Sequence, residues 1–267
     1  MLFSFAYSFS CIQDEAPHNT YYVVRSALLA VAQNQVNSMN IHLINKVHLK
    51  NFGLSLLLCI TLSAFTVNAD TLSIIGDSYS TYGNEISDYY PAVAIREGNN
   101  VATYEDTWKS IFIRKSGLEL TYYDALLGSM ISGDAQDASA IVNRVKATKE
   151  NLSDVIIVMG GLNDYWSKKK VGILDDADLN QTDFAPALYM TLSELKNRNK
   201  TATIIYSLIL YDRNIDEHEY DMAARHICEA LDITYVPISE IPCISWHPTK
   251  TGMQKIADTL FASLYAD

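Results

Sequence analysis

Cysteine is scarce in this chain, with four residues in 267. No Cys-x-x-Cys or His-x-x-x-His pair occurs, so the spacings by which one element grips a metal are missing and no metal site is expected. Cys11 and Cys59 fall in a segment expected to be removed, which leaves Cys228 and Cys243. These two could pair in an oxidising compartment if their Cα atoms come within roughly 7 Å. Positive charge is also short, with 20 Lys and Arg against 31 Asp and Glu. No sustained basic run is available to neutralise phosphates, which argues against nucleic acid as a partner. The one short cluster, Lys168 to Lys170, follows Asn163-Asp164 and reads as a solvated loop. Internal repeats and low-complexity segments are absent.

A run long enough to span a membrane is missing too. The best candidate, Phe52 to Val67, falls short of the roughly 20 residues needed, and no stop-transfer pattern follows it. It fits a different use. From Met39 the chain carries Lys46 and Lys50, then this apolar stretch, then Val67-Asn68-Ala69, which is the order of a secretory signal cleaved after Ala69. The expected organisation is therefore an upstream extension over 1–38, a signal peptide over 39–69 and one domain over 70–267, with export to the periplasm or beyond and no stable span after cleavage. Removal takes Arg25, Lys46 and Lys50 but only Asp14 and Glu15, so the remainder is more acidic still.

After Asp70, apolar runs of strand length alternate with longer segments of helical period, the pattern of βαβ units in a parallel sheet. Strands are predicted over Thr71 to Ile75, Leu118 to Leu126, Asp154 to Met159, Ala202 to Leu208 and Ile233 to Ile238. Their Val, Ile and Leu content suits burial on both faces. Helices are predicted over Tyr104 to Lys115, Ala135 to Lys149, Phe184 to Asn197, Glu217 to Leu231 and Lys250 to Leu264. The connection from Tyr79 to Val101 is long, rich in Tyr, Asn and Gly, and is expected to border a site.

The distinctive residues fall at the carboxyl ends of predicted strands, where open α/β sheets bind ligands. The first strand ends in Gly76-Asp77-Ser78, which exposes a serine on the turn. A serine hydroxyl is a weak nucleophile and needs a base with a pKa near neutrality. Of the six histidines, only His247 sits in a loop on the carboxyl side of a strand, ahead of the last predicted helix. The third strand runs into Gly160-Gly161-Leu162-Asn163-Asp164, where the Asn163 amide could donate to an oxyanion. The second is followed by Ser132-Gly133-Asp134, whose glycine amide could be another donor. Each glycine loop also reads as a plain turn, and Asn163 as a helix cap.

Taken together, Ser78, Gly133, Asn163 and His247 in this order resemble the blocks of the SGNH (GDSL-type) hydrolases across essentially all of the chain after the leader. Gly133 fits the second block better than Gly128. The resemblance implies a three-layer α/β/α sandwich on a flavodoxin-like five-stranded parallel sheet, acyl transfer through Ser78 with His247 as base, and no cofactor. The Ser78 and Gly133 amides with Asn163 would form the oxyanion hole, while Asp77 and Asp164 would support their turns. The family aspartate three residues before the histidine falls on Ile244, which cannot accept a charged hydrogen bond. A backbone carbonyl or a carboxylate such as Glu240 is then expected to orient His247.

The aromatic positions Tyr79, Tyr82, Tyr89, Tyr90, Tyr165 and Trp166 suggest a rim suited to sugars, and so a short O-acyl group on a carbohydrate. A lysophospholipase or thioesterase is the enzymatic alternative, and a non-catalytic carbohydrate-binding protein the other. Translation from Met39 would explain a complete signal this far into the chain. It predicts that mass spectrometry of the intact protein finds no peptide containing Tyr21 or Tyr22; detection of one refutes it.

Overall fold

The computed structural model describes residues 70–81, 98–148, 152–174, 179–211 and 215–265. The expected upstream extension and signal peptide over 1–69, and Tyr82, Tyr89 and Tyr90, lie outside them. Five parallel strands form the centre: β1 (Thr71–Gly76), β2 (Glu119–Ala125), β3 (Val155–Met159), β4 (Thr203–Leu210) and β5 (Thr234–Ser239), in the order β2-β1-β3-β4-β5. All five predicted strands are present within about two residues.

Alternation along each strand divides the core into two layers, because successive side chains leave opposite faces of a sheet. Leu72, Ile74, Ile157, Ile205 and Val236 meet the helices α1 (Trp108–Ser116) and α6 (Lys250–Leu264). Ile75, Ile156, Val158, Ile204 and Tyr206 meet α2 (Ile141–Ala147), α4 (Phe184–Arg198) and α5 (Ile215–Leu231). This is a three-layer α/β/α sandwich, with each fully buried Ile or Leu contributing about 1.5–3 kcal/mol. Among the described residues no helix is long and apolar enough to cross a membrane.

Three local differences from the sequence reading have physical causes. The helix expected from Ala135 begins only at Ile141, because Asp134 and Asp137 accept from the backbone N–H groups of Gln136 and Ser139 and bind that chain into turns. The helix expected from Tyr104 starts as a 3-10 turn, and α1 proper opens at Trp108 with Thr107 as its cap. A short helix not expected, α3 (Leu162–Trp166), follows Gly161 directly.

The connection after β1 runs to β2 on one side and the connection after β3 to β4 on the other, which opens a crevice between the carboxyl ends of β1 and β3. Gly76 is in register with Ala125 and Met159, which brings the loops after β1, β2 and β3 to one edge. Gly161 controls the last of them. Its φ is +108°, and a Cβ there would lie 2.8 Å from Leu208 Cδ1 and 3.0 Å from Phe184 Cε2. Gly161→Ala is expected to lose about 2–4 kcal/mol through left-handed strain and overpacking, read as a lower urea midpoint at unchanged slope. A loss below about 0.5 kcal/mol would show that the segment adapts.

Candidate active site

The chain leaves β1 in a tight turn. Ser80 N–H donates to the Asp77 carbonyl at 3.0 Å, and Tyr79 N–H donates to Asp77 Oδ1 at 2.9 Å. Gly76 is required here, since a Cβ would fall 2.4 Å from Ser80 Oγ. The turn aims Ser78 at His247, with Nε2 3.3 Å from Oγ and the two residues 6% and 8% exposed. That separation is slightly long for a hydrogen bond, as is common for a nucleophile and base without substrate.

His247 does not sit in a loop as expected. Cys243–Ile244 (β6) and His247–Pro248 (β7) form a small antiparallel hairpin, in which Ile244 pairs with His247. Its turn is Ser245-Trp246, with φ of +50° and +70°, the left-handed pair of a two-residue hairpin turn. The reversal points the Ser245 carbonyl back at the ring, 3.2 Å from Nδ1. A carbonyl can only accept, so as a hydrogen bond this contact has Nδ1–H as donor, the tautomer in which the Nε2 lone pair faces Ser78 Oγ. The carboxylate of Glu240 lies 4.0 Å from Lys255 Nζ, and Ile244 is 40% exposed.

Several residues hold the hairpin. Asn99 Nδ2 donates to the carbonyls of His247 and Pro248 at 3.4 and 3.3 Å. Thr249 caps α6 by accepting from Gly252 N–H, and its own N–H donates to the Pro242 carbonyl. Tyr79, expected at an exposed rim, is instead buried beneath the hairpin, with its hydroxyl donating to the Trp246 carbonyl at 2.8 Å.

The oxyanion donors need one correction. Gly133 is not available, because its N–H donates to the Gln181 carbonyl at 3.0 Å and its Cα faces Ala140 and Asp137 at close range. Gly128 differs. Leu126, two residues before it, donates its N–H to the Gly76 carbonyl; the φ of Gly128 is +74° with open space beside it; and the amides of Ser78 and Gly128 have no acceptor among the described residues. Asn163 stands in the first turn of α3, not at its cap, and Nδ2 spends one hydrogen on the Ser129 carbonyl at 2.9 Å. The second hydrogen of that amide remains for a ligand.

Arg144, which no sequence signal singled out, ties these loops together. Its guanidinium donates to the Gly76 and Asp124 carbonyls, Ser129 Oγ and the Ser139 carbonyl, and pairs with the Asp124 carboxylate. Only a planar fork can serve so many acceptors at once. Asp164, also buried, accepts from the N–H groups of Ile131 and Ser132 and from Ser132 Oγ.

Burial sets the charge of both carboxyls. Desolvation lifts Asp77 to about 7, against the pull of the Tyr79 N–H and Arg144, and lifts Asp164 to about 6. Near neutrality Asp77 is thus partly protonated. Cys228, buried on α5, and half-buried Cys243 are both free thiols, so the possible disulfide is not formed. Among the described residues no cluster of His, Cys, Asp or Glu could hold a metal.

Known proteins give the arrangement a context. A family model described as GDSL-like Lipase/Acylhydrolase matches residues 70–264. A Bacteroides uniformis ATCC 8492 crystal structure assigned to the GDSL-like lipases is 26% identical, with a TM-score of 0.62 over 73% of this chain and 95% of that one. Its Bacteroides ovatus ATCC 8483 counterpart is 23% identical, with a TM-score of 0.64 over 74% and 99%. A family two carbohydrate esterase from Clostridium thermocellum, solved with cellohexaose, shares the fold at 16% identity and a TM-score of 0.51, over 73% of this chain and 63% of that one. No curated protein sequence matches.

A carboxyl with a raised folded-state pKa favours the protonated protein, so its contribution to stability is present below the unfolded value and declines as pH rises through the folded one. Asp77→Asn, which keeps the acceptor for Tyr79 N–H, should therefore gain in stability relative to the parent between about pH 4 and pH 7, as measured by denaturant titration at each pH. A constant difference across that window would contradict the assignment.

Proposed function

Because this chain belongs to the GDSL-like lipase/acylhydrolase family and is an ester hydrolase, we propose that it is an exported serine esterase releasing short O-acyl groups from carbohydrates. One observation carries the mechanism: His247 Nε2 stands 3.3 Å from Ser78 Oγ while Nδ1 faces a group that can only accept. Ser78 Oγ attacks the ester carbonyl carbon as its proton passes to Nε2. The carbonyl oxygen becomes an oxyanion, received by the N–H groups of Ser78 and Gly128 and by Asn163 Nδ2. Such donors are worth on the order of a hundred- to a thousand-fold each. Collapse expels the alcohol, which takes the proton from His247. Water, deprotonated by the same imidazole, then frees the acid and restores Ser78.

The substrate side of the reading is supported by the surface beside His247. Trp246, 56% exposed, packs edge-on against Trp166 at 5.8 Å and tilted against Tyr211 at 5.4 Å. Trp166 in turn borders a cavity of about 410 Å³ that Lys169, Glu219 and Tyr220 also line. An aromatic face beside hydrogen-bonding groups suits a sugar ring better than an acyl chain, since pockets orient ligands through a few placed polar groups. Export rests on the signal-like segment ahead of Asp70.

Hydrolysis of p-nitrophenyl acetate, butyrate and octanoate and of an acetylated oligosaccharide tests this. The purified protein should prefer acetyl esters, and Ser78→Ala and His247→Ala should each lose at least about a thousand-fold in kcat. Activity surviving in both variants overturns the Ser-His pair. A preference for octanoate points instead to a lysophospholipase or thioesterase, and binding of the oligosaccharide without turnover points to a non-catalytic module.

A further inference from the structure

Ser245-Trp246 is an unusual sequence for the turn it makes. Two-residue hairpin turns with both residues at positive φ select Asn-Gly or Gly-Gly, because a side chain there meets the backbone. A left-handed serine and a left-handed tryptophan each cost on the order of 1–2 kcal/mol, and such strain persists only where surrounding structure holds it. The turn also sets the direction of the Ser245 carbonyl, the group 3.2 Å from His247 Nδ1. A carboxylate side chain could follow a shifting imidazole by rotating. A turn carbonyl moves only when the turn does.

The Tyr79 side chain reaches under this turn. Tyr79, the residue after Ser78, donates its hydroxyl to the Trp246 carbonyl at 2.8 Å and lays its ring 5.6 Å from the imidazole. Tyr79 is itself fixed at three places: its N–H bonds Asp77 Oδ1, its carbonyl accepts from Trp108 Nε1–H at 2.9 Å, and its side chain is fully buried. Burial pushes the phenol well above its usual range.

We infer that Tyr79 is a positioning residue: its hydroxyl braces the strained Ser245-Trp246 turn and thereby holds a carbonyl that orients His247. The inference rests on the Ser78-His247 reading. It also couples nucleophile and base mechanically, since the residue that follows the one holds the turn that precedes the other.

The test is a double-mutant cycle on the full chain with p-nitrophenyl acetate. In the parent, Tyr79→Phe should lower kcat about 10- to 30-fold with KM within about twofold, because misplacement of a catalytic group acts on the chemical step. When the turn is made self-sufficient by Ser245→Asn with Trp246→Gly, the same Tyr79→Phe change should cost less than about threefold, a coupling that a merely structural loss would not show. Nitrogen-15 spectra of the imidazole, assigned by His247→Gln, provide a readout independent of turnover: Nδ1 should be the protonated nitrogen in the parent, and Tyr79→Phe should give a mixture of tautomers. An equal loss in both backgrounds, or full kcat with an unchanged tautomer in Tyr79→Phe, overturns the brace while leaving the Ser-His pair intact. Wild-type turnover in His247→Ala, or no labelling of Ser78 by a fluorophosphonate, overturns the pair and the brace with it.

Discussion

In the proposed mechanism the imidazole serves as a base toward Ser78 only while its far nitrogen keeps a proton, and the backbone carbonyl of Ser245 is an acceptor that faces that nitrogen. Much of the structure around the site can be read from this contact. The hairpin exists to reverse the chain and turn that carbonyl inward; Asn99 and the α6 cap hold its strands, and Tyr79 holds its bend from below. A neutral carbonyl lends less to an imidazolium than a carboxylate does. What it lacks in charge the arrangement supplies as fixed geometry, which is why so many buried bonds converge on six residues.

Much of the fold could be read in advance because its signals are local. Buried parallel strands are near-continuous runs of Ile, Val and Leu, and those of β1, β3 and β4 are unmistakable. Ser78, Asn163 and His247 were singled out by position, since the carboxyl ends of strands are where open α/β sheets place their ligands, although Ser78 and His247 are both buried. The hairpin was not legible. Ser245-Trp246 carries none of the glycine or asparagine that announces such a turn, because its conformation is imposed by distant contacts instead of chosen by its own residues.

The choice between Gly128 and Gly133 turned on information the sequence does not hold locally. Both glycines follow β2, and Ser-Gly-Asp looks the more deliberate of the two. What separates them is Gln181, some fifty residues downstream, whose carbonyl occupies the Gly133 amide. Arg144 escaped notice for a related reason: on a short, mixed helix it looks like any solvated arginine, until the carboxyl ends of β1 and β2 close around its fork.

Ser78 and His247 stand 169 positions apart in the chain, one just past the first strand and the other just ahead of the last helix. A contact of such span requires the chain to give up the entropy of closing the intervening loop. Under the proposed mechanism, a partly folded copy carries a serine and a histidine that have not met, and hydrolytic competence doubles as a report that the two ends of the domain have closed on one another.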